Sequence, residues 1–364
     1  MARKAAVKDA DAGSVIDPVN ILKKLSKKGG VGDFVPSRPL VSTGSVALDM
    51  KLGGGAPSDR VIEIYGASGS YKTNLALMLL KNRQAATPDD KRLTLIVDLE
   101  RTQTITFVKG FGIDTDQVWV ERCDTAEDTM NIVSDSIRSG AVKTVLIDSI
   151  DAMESVEDTQ KSYGEASMMK LAKLLSEAMR DLSKACVDHD CMIILINQVR
   201  AGSNGYQIVQ TTSGGAAIPF YATLRLKVKR SKDARTDAAF ITVDVAKNKM
   251  FPMVMAETSF YFVPGVGIDV ASDRLEAGKQ IGTIVQRGSV YDVLTPEDQL
   301  IITVKGSKGF ESWLLEKGNL ELFDGIIKQR FKDELEANRK QDEEVETTTG
   351  AKPATPNDET YNID

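Results

Sequence analysis

The stretch Val61 to Asn74, VIEIYGASGSYKTN, constrains this chain more than any other. Val61 to Tyr65 is a short apolar, β-leaning run, and the apolar run from Leu75 to Leu80 predicts a helix. Between them lie Gly66, Ala67, Ser68, Gly69, Ser70, Tyr71, Lys72 and Thr73. A small-residue turn between a strand and a helix lets backbone N–H groups wrap a phosphate chain. The helix start adds its dipole and its unpaired donors at the same point. Lys72 is then placed to reach β- and γ-phosphates, and the Thr73 hydroxyl to ligate Mg²⁺. Tyr71 departs from the pattern G-x-x-x-x-G-K-[ST]: it stands where the second glycine belongs, and the spare glycine is Gly69. Its ring needs room, so it is expected to point away from the phosphates, toward the base, solvent or a neighbouring subunit. The alternative is a Gly/Ser turn with a surface lysine, and the flanking strand and helix patterns speak against it.

The rest of the chain repeats the same alternation. Thr43 to Leu52 reads as a helix with Thr43 as candidate N-cap. Leu93 to Leu99 predicts a strand ending at Glu100, Val118 to Val120 a short one, and Ala126 to Ser139 a helix stopped by Gly140. Thr144 to Ile147 is followed by Asp148, and Leu171 to Ala185 is an amphipathic helix pattern. Met192 to Ile196 is fully apolar and ends at Asn197-Gln198. Near-continuous apolar strands alternating with helices predict a parallel sheet covered on both faces. Ligands of such sheets bind at the carboxyl ends of the strands, where Gly66, Glu100, Asp148 and Gln198 all fall. Beyond them come an unpatterned polar loop, Arg200 to Gly215, and strand-like runs at Leu224–Lys229, Ala239–Val245 and Ser259–Val263. From Val270 the pattern shortens into a smaller α+β unit.

Composition narrows the class. Of 364 residues, 42% are hydrophobic and 27% charged, ordinary for a globular protein. No apolar run approaches membrane-spanning length, and the start lacks the apolar core of a signal peptide. Cys123, Cys186 and Cys191 have no metal-binding spacing, and the single histidine, His189, makes histidine-based catalysis a poor expectation. Reduced thiols place the chain in a cytoplasm. The net charge of −6 is misleading, because Gln341 to Asp364 alone carries −6 and leaves a neutral body. The first 28 residues hold seven bases against three acids. A neutral body can still bind nucleic acid through local basic segments.

At the strand ends, Asp148 can hold Mg²⁺ together with Thr73, and Glu100 can polarise a water in line with a γ-phosphate. Gln198 is either a side chain that feels the γ-phosphate or a cap on a strand edge. In the following loop Arg200, Gln207, Gln210, Thr211 and Thr212 offer donors for phosphates. Tyr206, Ile208 and Val209 could stack on bases, and Gly214 and Gly215 let backbone approach a ligand. An ordinary surface loop is the competing reading. Lys247 and Lys249 share one side of a strand. They could neutralise transition-state charge in a neighbouring subunit or form a solvated basic hairpin end.

Taken together, VSTGSVALDMKLGGG, RVIEIYG, RSGAVKTVLIDSIDAM, SEAMRDL, IILINQVR, TTSGGAAIPFYATLRLKVKR and VAKNKM resemble the RecA family of homologous-recombination ATPases. The likeness runs from about Val41 to Gly267 and more weakly to about Leu335. It implies a RecA-like P-loop ATPase core, a mostly parallel twisted sheet with helices on both faces, preceded by an N-terminal arm and followed by a small α+β C-terminal domain. It implies a filament on single-stranded DNA, driven by ATP and Mg²⁺, that pairs that strand with homologous duplex. Single-strand-binding and loader proteins are candidate partners, and no membrane is. By the same resemblance Glu100 is the catalytic glutamate, Gln198 the γ-phosphate sensor, and Lys247 and Lys249 the pair that crosses to the neighbour's ATP. Phe107 lies against adenine. Asp158 to Met168 matches the first DNA loop, with Met168 near the DNA, and Arg200 to Ser213 the second. Phe220 sits at the subunit contact, and the basic arm, with Phe34, docks on the adjacent protomer. Two departures stand out. Phage-encoded members carry an aromatic residue at the Tyr71 position, so a phage or mobile-element source is expected. The second loop is about one residue shorter than the bacterial pattern and lacks its Met, Lys and Phe residues.

The expected divisions are an arm over 1–38, the core over 39–269, the C-terminal unit over 270–337 and an acidic disordered tail over 338–364. A ring-forming helicase on the same core and a non-hydrolysing accessory protein remain as rivals.

Overall fold

Successive strand side chains point to opposite faces, and in this chain both faces are covered. The computed structural model describes residues 38–153, 168–203, 208–232, 238–251 and 257–349. Phe34 and the arm, most of the expected first DNA loop, Tyr206 and residues 350–364 lie outside the described residues. Pro39 onward forms one compact unit.

It opens with β1 (Leu40–Val41), paired antiparallel with β2 (Ala56–Pro57), and α1 (Val46–Lys51) between them. The cap of α1 is Ser45, whose Oγ accepts from Leu48 N at 3.0 Å, and not the expected Thr43. Thr43 is committed elsewhere, its hydroxyl donating to Asp49 Oδ1 at 2.7 Å. Then follow β3 (Val61–Gly66), α2 (Lys72–Ala86), β4 (Leu93–Asp98), α3 (Ile105–Gly110), β5 (Val118–Glu121), α4 (Ala126–Arg138) and β6 (Val142–Asp148). α5 (Met168–His189) leads to β7 (Met192–Ser203), β8 (Ile208–Thr212), α6 (Ala217–Tyr221), β9 (Leu224–Lys232), β10 (Ala239–Asn248), β11 (Glu257–Val263) and β12 (Gly267–Ile268).

The large sheet has the order β12-β11-β10-β9-β3-β7-β6-β4-β5. From β9 to β5 its pairs are parallel, and from β9 to β12 they are antiparallel. On one face Ile62, Ile64, Ile96, Leu146, Ile194 and Ile196 pack under Leu75, Leu77, Leu79 and Leu80 of α2. On the other, Leu95, Val97, Val145, Ile147, Ile193 and Leu195 meet Met130, Val133 and Ile137 of α4 and Leu175, Met179 and Leu182 of α5. This two-sided burial explains why β6 is buried at every position.

Two expectations fail here. The segment from Arg200 is not unpatterned: β7 runs on to Ser203 and pairs antiparallel with β8, Val199 opposite Thr212 and Ser203 opposite Ile208. Ile208, Val209, Thr211 and Thr212 are β-branched and suit a ladder, a signal masked by the surrounding Gly, Ser and Gln. The second concerns the C-terminal unit, built from α7 (Val270–Gln280), β13 (Ile284–Arg287), β14 (Val290–Leu294), β15 (Leu300–Lys305), α8 (Gly306–Leu314) and α9 (Asn319–Thr349). Disorder was expected from Asn338, yet α9 continues to Thr349. Its Glu, Lys, Gln and Arg are good helix formers, and its first half is anchored by Phe323, Ile326 and Ile327. Once a packed nucleus exists, propagation needs no further apolar face.

Candidate nucleotide site

β3 delivers the chain to the phosphate loop with Gly66 beside Gln198 of β7 and Val228 of β9. A Cβ on Gly66 would lie 2.1 Å from the Val228 carbonyl oxygen, so only glycine fits. α2 starts at Lys72, with Tyr71 as its N-cap in the left-handed region at φ 71° and ψ 25°. The Tyr71 ring turns away from the loop, as expected, and is half-buried. It packs into its own subunit, 5.2 Å from the Phe262 ring, with the Arg230 guanidinium 5.2 Å from its centroid. Phe262 in turn lies 6.4 Å from Phe111, and Phe111 5.3 Å from Phe107. An aromatic row on β11 and α3 supplied the room, and no local pattern announces it. Phe107 remains partly exposed at 40%.

Lys72 Nζ donates to the Ala67 carbonyl at 2.8 Å, and Thr73 Oγ1 donates to Asp148 Oδ2 at 3.1 Å. Burial lowers the Lys72 amine from its ordinary value, opposed by Asp148, Glu100 and Asp151. Burial, reinforced by Glu100, raises the Asp148 carboxyl to about 6. Ser70 Oγ is buried with no hydrogen-bond partner. A donor-rich loop with an orphaned hydroxyl and an underused lysine fits a phosphate chain. Thr73 and Asp148 offer only oxygen, which suits a hard cation such as Mg²⁺ that keeps most of its water. Among the described residues no group of three or more His, Cys, Asp or Glu could hold a metal, so phosphate and water must complete such a shell.

Glu100 is exposed beside this pair, held by its backbone N–H to the Asp148 carbonyl at 3.3 Å and through Oε1 by the Ser149 hydroxyl at 2.6 Å. Ser149 was not foreseen. The Gln198 N–H donates to Asn197 Oδ1 at 2.9 Å. Asn197 is itself buried, and its Nδ2 donates to Glu63 Oε1 at 3.0 Å and to the Ser213 carbonyl at 2.9 Å. The Ser213 hydroxyl donates to Asp151. The two segments expected to hold DNA therefore leave the sheet tied at their bases, one after Asp151 and the other before Ser213. Arg200, Ile208 and Thr211 have hairpin backbone, and Met168 begins α5; their side chains lie outside the described residues. Thr212 is half-buried, and Gly214 and Gly215 have φ of 89° and 69°. A Cβ on Gly214 would come 2.7 Å from Leu175.

Lys247, Lys249 and Phe220 form one patch. Lys247 Nζ donates to the Pro219 and Phe220 carbonyls at 2.5 and 2.9 Å, and Lys249 Nζ to the latter at 3.3 Å. The cations thus satisfy the exposed carboxyl end of α6, while the Phe220 ring is 66% exposed under Lys249. Burial, then Lys249 and Arg225, lowers Lys247 to about 8.

Sequence reasoning passed over Glu63, Asp98, Gln103 and Asn197. A signal existed for three of them: each is a polar residue inside an otherwise apolar strand run (VIEIYG, LIVDL, IILINQ). Gln103 follows β4 and carries no such mark.

A parallel sheet whose central strand feeds a phosphate loop, with an acidic strand end alongside, defines the class of phosphate-loop α/β proteins. A family model described as the RecA N-terminal domain matches residues 30–269. The chain is 34% identical to "Protein RecA" of Cereibacter sphaeroides over 270 residues, covering 72% of this chain and 77% of that one. It is 33% identical to "Protein RecA" of Nitratiruptor sp. over 284 residues, 74% and 81% of the two chains. Against "Protein RecA" of Syntrophus aciditrophicus the identity is 30% over 295 residues, 78% and 84%. The chain belongs to the RecA family.

Proposed function

We propose that this protein is a DNA-dependent ATPase that forms helical filaments on single-stranded DNA and catalyses homologous pairing and strand exchange. The observation that carries this reading is a single convergence. Lys72, Thr73, Asp148 and Glu100 meet at the carboxyl end of the central strands, and Asn197 links the neighbouring strand to the base of the hairpin that follows it. Mg²⁺ bound between Thr73, Asp148 and the triphosphate would neutralise charge on the β- and γ-oxygens. Lys72 leaves Ala67 for the phosphates, and Glu100, steadied by Ser149, takes the proton of the attacking water through its second oxygen. Gln198, next to Gly66, feels whether the γ-phosphate is there and passes that state through its neighbour Asn197 to Ser213. The exposed Phe220 and the two lysines above it suit a second copy of the chain, with the cations leaving the α6 carbonyls for the neighbour's triphosphate.

The test is phosphate release by the wild type and Lys72→Ala, with and without single-stranded DNA, followed by strand exchange and electron microscopy. Release that is DNA-stimulated, lost in Lys72→Ala and accompanied by open helical filaments is expected. Absence of DNA-dependent release in the wild type overturns the reading, and closed hexameric rings would replace it with a helicase.

A further inference from the structure

Gln103 is a buried polar side chain at the nucleotide edge that the reaction above does not use. Its side chain is 9% exposed. Asp98, fully buried at the end of β4, accepts from the backbone N–H groups of Thr102 and Gln103 at 3.1 and 3.0 Å. That clamp fixes the turn, so Gln103 Nε2 donates to Asp148 Oδ2 at 2.8 Å. The same oxygen receives the Thr73 hydroxyl at 3.1 Å. Gln103 Oε1, on the same carbon as Nε2, is buried and accepts no hydrogen bond. A buried acceptor left unpaired is costly, and in native proteins such a group calls for an explanation such as a water or an ion. The missing partner must be a donor and must fit beside the Thr73–Asp148 pair. Water carried by a hydrated divalent cation meets both conditions.

We propose that Gln103 is a positioning residue of the metal–nucleotide site, its N–H fixing the Asp148 carboxylate and its Oε1 accepting from a water of the cation's hydration shell. This rests on the nucleotide-binding reading of the same loop. A neutral amide suits the role because it donates to the carboxylate and accepts from the water without adding charge to a site that already holds Asp148 and Glu100. Loss of such an outer partner typically weakens metal binding 10–100-fold.

The measurement is a Mg²⁺ titration of the full-length protein with a fluorescent, non-hydrolysable ATP analogue, repeated with Mn²⁺ counted directly by electron paramagnetic resonance. In Gln103→Leu the half-saturating metal concentration should rise about tenfold, while analogue binding in EDTA stays at the wild-type level. Gln103→Met, unbranched like glutamine, gives the same readout if the leucine variant misfolds. In an Asp148→Asn background Gln103→Leu should raise the half-saturating concentration by a smaller factor than in the wild type, because the residue acts partly through that carboxylate. Unchanged half-saturation in both Gln103 variants overturns the proposal, as does an undiminished effect in Asp148→Asn. A wild type that binds no analogue at any metal concentration overturns the nucleotide reading itself, which separates the two failures.

Discussion

At position 71 two energies oppose each other. A non-glycine residue in the left-handed region costs about 1 kcal/mol or more, while the Tyr71 ring packs on Phe262 beneath Arg230. Aromatic pairing adds about 0.5–1.5 kcal/mol beyond area burial, so packing outweighs strain. Tyr71→Ala loses the ring and keeps the strain, and should destabilise by about 2–3 kcal/mol; Tyr71→Gly should lose about 1 kcal/mol less. Denaturant unfolding checks the order Tyr, Phe, Gly, Ala; glycine more stable than tyrosine would show that the ring's packing does not outweigh the strain. Lys247 gives a second residue-scale expectation. Its amine is lowered to about 8, below the ordinary 10.5, by burial and the nearby Lys249 and Arg225. The folded state therefore gives up this proton before the unfolded one, so stability contributed by this group rises as pH climbs from about 8 toward 10.5. Under the proposed role at a neighbour's phosphates, the Lys247 cation resting on α6 is depleted over the lower part of the same window. DNA-stimulated phosphate release should fall as pH rises from about 8 toward 10.5, and whatever activity Lys247→Arg retains should be flat there. Equal slopes in the two proteins would rule Lys247 out as the titrating group.

At the scale of elements, β7, β3 and β9 are cross-linked by side chains as well as by their ladders. Arg225 Nε donates to Glu63 Oε2 at 2.5 Å, and Asn197 donates to the other oxygen at 3.0 Å. Glu63 is fully buried, and the Arg225 guanidinium also lies 4.6 Å over the Tyr65 ring. Removing one partner strands the other: Arg225→Ala should cost about 3–5 kcal/mol. The double variant Glu63→Leu/Arg225→Leu should recover much of that, because no unpaired charge is left inside. Calorimetry on the two proteins decides it, and equal losses would mean the arginine acts through packing alone. α1 is tied in a related way, with the Asp273 carboxylate of α7 accepting from Val46 N at 2.8 Å. A helix of the phosphate-loop core is thereby capped from the C-terminal unit.

For the molecule as a whole, charge is unevenly placed. Gln341 to Asp364 carries the entire net charge of −6, and its first part extends α9 to Thr349. If the protein binds DNA as proposed, this polyanionic segment would compete with DNA for basic surface, most strongly when salt is low. Deleting Gln341–Asp364 should tighten duplex binding in 50 mM salt and much less in 300 mM, measured by fluorescence anisotropy. Equal affinity at both salts would leave the segment without an electrostatic role.

The local patterns of the chain determined the alternation of strands and helices, the phosphate loop with Lys72 and Thr73, and the strand-end places of Glu100 and Asp148, whereas Gln198 lies inside β7, which runs on to Ser203. These follow from short-range chemistry, periodicity and turn residues that any window of sequence displays. Tertiary structure alone decided where the Tyr71 ring goes, that Gln103 reaches Asp148, that Ser213 joins Asp151 and that Lys247 and Lys249 rest on α6. Each of those contacts spans tens of residues, or a choice of ring direction made by distant neighbours, so its energy is settled only when the strands have come together.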